Sequence, residues 1–184
     1  MTFDRPGKQN TSAVLETALK TARSRKIPCI VLPATMGESA LALSRMDCSG
    51  LHVVCVTHVT GFRTPGEPST PPEACRALRE AGFSVVTATH LLSGAERCLS
   101  GWFGGVYPVE IMAHTLRMLG QGVKVALEVA CMAVDAGEAP WMTPILSLGG
   151  TGRGLDTAVV LRASHGASIL DSCLDEILCK PRLG

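Results

Sequence analysis

Aromatic residues are scarce in this 184-residue chain: they make up 4% of it, whereas hydrophobic residues make up 46%. The core must therefore consist mainly of valine, leucine, alanine, methionine and isoleucine, a composition that suits helices packed closely against a sheet. No run of about 18 apolar residues occurs, and the first seven residues lack the apolar stretch of a signal peptide. We therefore expect a single α/β domain over residues 1–184, soluble and cytoplasmic.

The chain also lacks a dense block of lysine and arginine, and its formal net charge is +1 with 18% charged residues. This balance provides no electrostatic footprint for nucleic acid or an anionic membrane, so we expect neither as a partner. The eight cysteines form no Cys-x-x-Cys motif, which favours buried, reduced thiols over disulfides or a metal site. No Walker A motif is present, so nucleotide triphosphate hydrolysis has no support.

Four short apolar runs each end in a loop that contains glycine and hydroxyl residues. The carboxyl ends of parallel strands meet at one edge of a sheet, so four such loops would line a single crevice there. The sequence therefore predicts a ligand site at this edge. The runs and their loops are 29–32 with 33–39, 53–56 with 57–61, 85–86 with 87–94, and 145–148 with 149–154.

The spacing of apolar residues predicts alternating helices and strands. The long connection from Leu91 to Tyr107, which holds Trp102 and Phe103, is predicted to be a functional loop. A short edge strand is expected at 176–179. The predicted helices cover 12–25, 39–45, 72–80, 109–118 and 123–135, and the predicted strands cover 28–33, 52–57, 84–88, 144–149 and 156–163.

The loop 33–39 lies between a predicted strand and a predicted helix, where free backbone N–H groups and the hydroxyls of Thr35 and Ser39 can hold a phosphate. The same hydroxyls can instead cap the helix. The loop 149–154 resembles a dinucleotide fingerprint, but its glycines are spaced by two, so it is either a cofactor loop or a plain turn. Asp156 and Thr157 can reach a ligand hydroxyl or simply begin a strand.

The helix after Gly122 places polar residues on one face of an otherwise apolar element, at Lys124, Glu128, Cys131 and Asp135. Such a face points to a cavity, a partner subunit or a wet channel, although Lys124 and Glu128 can also form a simple i, i+4 ion pair. His58 and His90 follow two neighbouring strands and are candidates for acid–base or ligand-orienting roles.

Several motifs together resemble the stand-alone pyruvate kinase alpha/beta-domain-like family, which is similar to the C-terminal, effector-binding domain of pyruvate kinase. The resemblance covers about residues 10–182. It rests on Thr35-Met-Gly-Glu-Ser-Ala40, Thr115-Leu-Arg-Met-Leu-Gly-Gln-Gly-Val-Lys-Val125, Gly149-Gly-Thr-Gly152 and Asp156-Thr157.

The resemblance implies a three-layer α/β sandwich with a mostly parallel sheet of five or six strands. Thr35, Gly37 and Ser39 match the loop that holds a sugar bisphosphate in pyruvate kinase. Met36 and Glu38 depart from that loop, so Glu38 must point away from a phosphate, or the sugar-phosphate role is lost. Relatives are also associated with flavin mononucleotide (FMN). The catalytic barrel is absent, so pyruvate kinase activity is not expected.

The leading hypothesis is a domain that binds FMN or a similar phosphorylated ligand, with flavin redox activity if it is an enzyme. The alternative is a non-catalytic module that senses a sugar phosphate, within a homo-oligomer formed through the alanine-rich helix 123–136. No catalytic residue is assigned. The expected ligand contacts are Thr35, Met36, Gly37, Ser39, Thr57, His58, Thr60, Gly61, Phe62, Gln121, Lys124, Gly149, Gly150, Thr151, Gly152, Asp156 and Thr157.

Overall fold

The computed structural model describes residues 1–182 as alternating strands and helices. The strands are β1 (Thr2–Phe3), β2 (Cys29–Pro33), β3 (His52–Thr57), β4 (Ser84–Thr87), β5 (Pro144–Gly149), β6 (Thr157–Arg162) and β7 (Cys173–Pro181). The helices are α1 (Thr11–Arg25), α2 (Glu38–Ser44), α3 (Pro72–Glu80), α4 (Glu96–Phe103), α5 (Pro108–Arg117) and α6 (Gln121–Asp135), with 3-10 turns at Lys8–Asn10 and Gly166–Asp171.

The strands form one sheet in the order β1-β7-β6-β5-β2-β3-β4. Strands β5, β2, β3 and β4 are adjacent and parallel, whereas β6 runs antiparallel to both of its neighbours. The predicted α/β fold with a mostly parallel sheet is confirmed. The sheet has seven strands and not the expected five or six, because the unpredicted β1 pairs with the outer side of β7. The segment predicted as a short edge strand is part of the nine-residue β7.

Helices cover both faces of the sheet, as the apolar strands require. Alternate residues of β2 point to opposite layers: Ile30 and Leu32 pack in a cluster with α1, α2 and α3, and Val31 packs in a second cluster with α6. The second cluster contains several alanines and no aromatic residue. Ala126, Ala130 and Ala133 are fully buried, so α6 lies close to the strands.

The closest approach of a helix to the sheet occurs where α6 begins. A Cβ atom on Gly122 would lie 2.0 Å from the Thr157 hydroxyl, and one on Gly149 would lie 2.0 Å from the Gly122 carbonyl oxygen. One turn further along, the Ser147 hydroxyl donates to the Ala126 carbonyl over 2.7 Å. Backbone therefore meets backbone at this contact, and only glycine fits there.

The structure corrects two of the predictions. The connection from Leu91 to Tyr107 is not wholly irregular, since α4 occupies Glu96–Phe103 within it. The apolar pattern did not reveal this helix because none of its eight residues is buried against the described part of the chain. The alanine-rich face of α6 packs on the sheet, so it is not free for contact with another copy.

Three further observations bear on the class of protein. No helix in residues 1–182 is both long and apolar enough to cross a lipid bilayer. The same residues contain no group of three or more histidine, cysteine, aspartate or glutamate side chains placed to hold a metal ion. All eight cysteines are free thiols, and Cys29, Cys55, Cys131 and Cys179 are buried.

The contact at Gly122 predicts that a glycine-to-alanine substitution changes the stability of the fold differently at two helical positions. Gly122→Ala should destabilise the fold by roughly 1–3 kcal/mol, because the new methyl group overlaps Thr157 and Asp156. Gly101→Ala in α4, where a Cβ atom meets nothing within 4 Å, should be neutral or stabilising by about 0.5–1 kcal/mol. Chemical denaturation measures both. Equal effects at the two positions would contradict the close helix–sheet approach.

Candidate functional site

A cleft of about 350 Å³ opens at the carboxyl ends of β2 and β3, beside α6 and the loop that follows β5. After β2 the chain continues to β3 on one side, and later returns to the other side of β2 with β5. The cleft therefore lies at the point where the strand order reverses, which is the usual ligand position in open α/β sheets. The four loops predicted to share one edge do so, because their strands are adjacent and parallel.

The structure brings about half of the predicted contacts to the cleft. Its lining includes Thr35, Met36, Gly37, Ser39, Thr57, His58, Gln121, Gly150 and Gly152. The other predicted residues lie outside that lining, namely Thr60, Gly61, Phe62, Lys124, Gly149, Thr151, Asp156 and Thr157.

The loop after β2 presents unused hydrogen-bond donors to the cleft. Gly37 adopts the left-handed conformation with φ +82°, which turns the chain into α2. Among the described residues, no group accepts a hydrogen bond from the backbone N–H of Met36, Gly37, Glu38 or Ser39. The Thr70 hydroxyl donates to the Thr35 carbonyl over 2.9 Å and so holds the loop from behind. These donors remain available for an anion.

Glu38, the predicted obstacle to phosphate binding, lies at the cleft but is paired with a cation. Its Oε2 accepts a hydrogen bond from Lys8 Nζ over 3.0 Å. Lys8, and to a smaller extent Arg153, hold the pKa of the Glu38 carboxyl below its usual range. The exposed carboxylate is therefore compensated from outside the cleft, and its charge is a weaker obstacle than the sequence implied.

Two arginines that the sequence did not single out also line the cleft. Arg63 follows β3 in a proline-rich loop, and Arg153 lies in the glycine-rich loop after β5. Neither forms an ion pair with another described residue. The sequence did offer a signal for Arg153, because an arginine within a glycine-rich loop at a strand end is a candidate phosphate ligand. Their guanidinium groups suit phosphate recognition because they donate in a planar fork.

His58, His90 and Phe62 form an aromatic cluster beside the cleft. The ring centroid of His58 lies 4.2 Å from that of Phe62 and 4.7 Å from that of His90. Burial, and then the neighbouring His90 and Arg63, lower the pKa of His58 to about 4, and burial lowers that of His90 as well. Both imidazoles are therefore neutral at pH 7. His58 Nε2 lies 3.3 Å from the Thr35 hydroxyl, whereas its buried Nδ1 has no partner among the described residues.

Lys124 and Glu128 form a buried ion pair in the wall of the cleft, with only 6% and 2% of each residue exposed. Glu128 also accepts the backbone N–H of Leu92 through Oε1 over 2.8 Å. Glu128 lines the cleft but Lys124 does not. The ion-pair alternative is therefore the geometry observed, and breaking it would leave an uncompensated buried charge. Asp135, at the far end of α6, pairs with His165 over 3.0 Å.

Asp156 and Thr157 join three segments of the chain behind the cleft. The fully buried Asp156 carboxylate accepts from the backbone N–H groups of Gly7 and Thr151, each over 3.0 Å, and from the Thr157 hydroxyl over 2.8 Å. A Cβ atom on Gly150 would lie 2.0 Å from the Gly154 carbonyl oxygen, so the loop closes tightly on itself. These groups shape the loop that carries Arg153.

The depressed pKa of His58 predicts a loss of stability in acid. The unfolded state, with an ordinary histidine pKa of about 6.5, binds more protons than the folded state between pH 6.5 and pH 4, so stability falls across that window as pH falls. Replacing His58 by phenylalanine keeps the ring and should remove about 1 kcal/mol of the loss at pH 5, a value halved for the half-exposed ring. Unfolding titrations at pH 7 and pH 5 measure this, with the exposed His114→Phe as control. An unchanged loss in the His58 variant would contradict a half-buried imidazole that is neutral at pH 7.

Comparison with known proteins assigns the family. The profile of the family described as pyruvate kinase, alpha/beta domain, matches residues 12–161. Among solved structures, a pyruvate kinase from Cryptosporidium parvum is similar, with 13% sequence identity and a TM-score of 0.41. That alignment covers 83% of this chain and 22% of the pyruvate kinase, so the chain spans less than a quarter of that protein's length. Because the profile covers most of the sequence, the chain belongs to the pyruvate kinase alpha/beta domain family.

Proposed function

We propose that the cleft binds FMN or a similar phosphorylated small molecule. The observation that carries the proposal is the meeting, in one cleft, of the free backbone N–H groups of residues 36–39 with the unpaired guanidinium groups of Arg63 and Arg153. Backbone donors and arginines together are the groups that proteins use to hold phosphate. The cleft volume of about 350 Å³ lies within the range of small-molecule sites.

The phosphate of the ligand would bind to the loop after β2. Thr35 and Ser39 add hydroxyl donors there, and Arg153 approaches from the opposite loop. Lys8 compensates the nearby Glu38 carboxylate, which reduces its repulsion of the anion. Since both histidines are neutral at pH 7, the attraction comes from the arginines and the backbone.

The remaining part of the cleft suits a flat ring. Val125, Val129 and Met132 of α6 provide an apolar wall. His58 and His90 also line the cleft, and their neutral imidazoles offer ring nitrogens as hydrogen-bond partners. These groups fit the isoalloxazine of FMN. A bound flavin would supply redox chemistry, and the chain's own residues would bind it, orient it and limit its exposure to water.

A second candidate is a non-catalytic module that senses a sugar phosphate. Thr35, Ser39 and Gln121 line the cleft, and their hydroxyls and amide can hydrogen-bond sugar hydroxyls. The residues that the structure describes form one α/β domain, so we do not expect phosphoryl transfer of the pyruvate kinase type from them.

Ligand titration should distinguish the two candidates. FMN at 100 times its Kd should stabilise the protein by about 2.7 kcal/mol, which raises the melting temperature by roughly 5–11 °C in a domain of this size. Riboflavin, which lacks the phosphate, should give a much smaller shift. Thermal denaturation and the visible absorbance of the purified protein are the measurements. Stabilisation by a hexose bisphosphate but not by FMN would favour sensing, and no response to either would contradict both candidates.

Arg153→Gln should weaken binding of the phosphorylated ligand by roughly 10- to 100-fold, because one charge-assisted hydrogen bond is lost. Arg79→Gln, at an exposed position on α3 outside the cleft, is the matched control and should leave affinity unchanged. Calorimetric titration measures both, and equal affinities in the two variants would place the phosphate elsewhere. Gly37 is a poorer target, since a Cβ atom there would lie 2.8 Å from that of Ala74 in a backbone that favours glycine.

A further inference from the structure

The connection between β4 and α6 exposes an unusual concentration of large apolar side chains. Trp102 is 81% exposed, Phe103 75% and Val106 68%. We call this surface the α4–α5 face, and its members are Leu99, Trp102, Phe103, Val106, Ile111, Met118 and Leu119. Large apolar patches of this kind on a soluble domain mark interaction sites.

Hydrogen bonds between α4 and α5 hold the α4–α5 face together. Glu96 Oε2 on α4 accepts the backbone N–H groups of Val109 and Glu110 over 2.9 and 3.2 Å. Glu110 in turn accepts the Ser100 hydroxyl through Oε1 over 2.8 Å. Carboxylates therefore join the two helices, while the apolar side chains point away from the chain. The surface is preorganised for contact, which lowers the entropic cost of association.

The size of the face matches what a dimer requires. From the exposed fractions, its side chains present roughly 500–700 Å² of apolar surface. A standard interface buries about 800 Å² on each partner, of which about 65% is apolar in homodimers. The exposed apolar area is thus about that of one side of such an interface.

The charges around the face favour a second copy of the chain over a membrane. Glu96 and Glu110 are engaged as helix-capping acceptors, Arg97 lies 5.9 Å above the Phe62 ring, and Arg117 donates to Gln121 over 2.7 Å. These two carboxylates and two guanidinium groups balance, so the surroundings of the face carry no net charge that would repel a second copy, and a two-fold contact needs only one such surface. Binding at an anionic membrane would instead favour an excess of basic residues beside the apolar ones, whereas Glu96 and Glu110 here offset Arg97 and Arg117.

We propose that this protein forms a two-fold homodimer through the α4–α5 face, with Trp102 and Phe103 at its centre. Aromatic side chains at the middle of an interface carry most of its binding energy. The argument for this contact uses no residue that would bind the cleft ligand, so the proposal does not rest on FMN binding.

Sedimentation velocity on the whole 184-residue protein, from 1 to 100 µM, tests the proposal. We expect a species of twice the 19.3 kDa chain mass at the upper concentrations. The double variant Trp102→Asp/Ile111→Asp should weaken the dimer at least about 30-fold. Its circular dichroism spectrum should match the parent's, since both side chains are exposed. Leu170→Asp, at an 85% exposed position outside the face, is the control and should dimerise as the parent does.

A second measurement uses Trp102 itself. In a Trp141→Phe variant it is the single tryptophan, because the chain contains two, and its emission should shift to shorter wavelength as the dimer forms. A monomeric mass at 100 µM would overturn the proposal, and so would a dimer that survives the double substitution. Sedimentation of a monomeric protein with phosphatidylserine vesicles would also overturn it, in favour of a membrane contact.

Discussion

The contact of α6 with the sheet at Gly122, Gly149 and Thr157 determines most of the site geometry. Because neither Gly122 nor Gly149 has a side chain to separate α6 from β5, the amino-terminal half of α6 lies directly beside the carboxyl ends of β5 and β2. Glu128 and the apolar residues Val125, Val129 and Met132 consequently form one wall of the cleft. A side chain at either glycine would overlap neighbouring atoms and move that wall, so the position of the wall depends on these two glycines.

The net charge of the cleft depends on which of its charged side chains already form ion pairs within the protein. Lys124 and Glu128 neutralise each other in the interior, and Lys8 neutralises Glu38 at the surface. Burial keeps His58 and His90 uncharged at neutral pH. Arg63 and Arg153 are therefore the cations left to face an incoming anion, together with the backbone donors of the loop after β2. The cleft is positive because of its loops, although the chain as a whole is nearly neutral.

Much of the fold was predictable from local patterns. The buried runs at 29–32, 53–56 and 145–148 lie in parallel strands, and helix boundaries such as those of α1 and α3 agree within about two residues. Strands covered on both faces are continuously apolar, which makes them easy to recognise. Helix α4 escaped recognition because its apolar side chains face solvent, and the length of β7 escaped because its pairing with β6 is not a local property.

The candidate site was only partly predictable. Its location at the carboxyl edge of the sheet, and the part that the loop 35–39 plays in it, follow from the glycine and hydroxyl residues that come directly after each apolar run. The pairing of Lys124 with Glu128 was one of two alternatives, and the roles of Asp156 and Thr157 as supports for a loop depended on partners as distant as Gly7. Arg63 looked like part of a proline-rich linker. Spacing identifies which residues share an element, but it does not reveal which charge already has a partner.

The sequence alone thus determined the fold class, the parallel block of strands and the sheet edge at which the cleft opens, because hydrophobic periodicity and strand-end composition are local. Tertiary structure decided which polar groups are free. The neutral histidines, the compensated Glu38, the two cleft arginines and the exposed α4–α5 face all arise from contacts between segments far apart in the chain. Burial and charge compensation depend on such neighbours, and no window of sequence contains them.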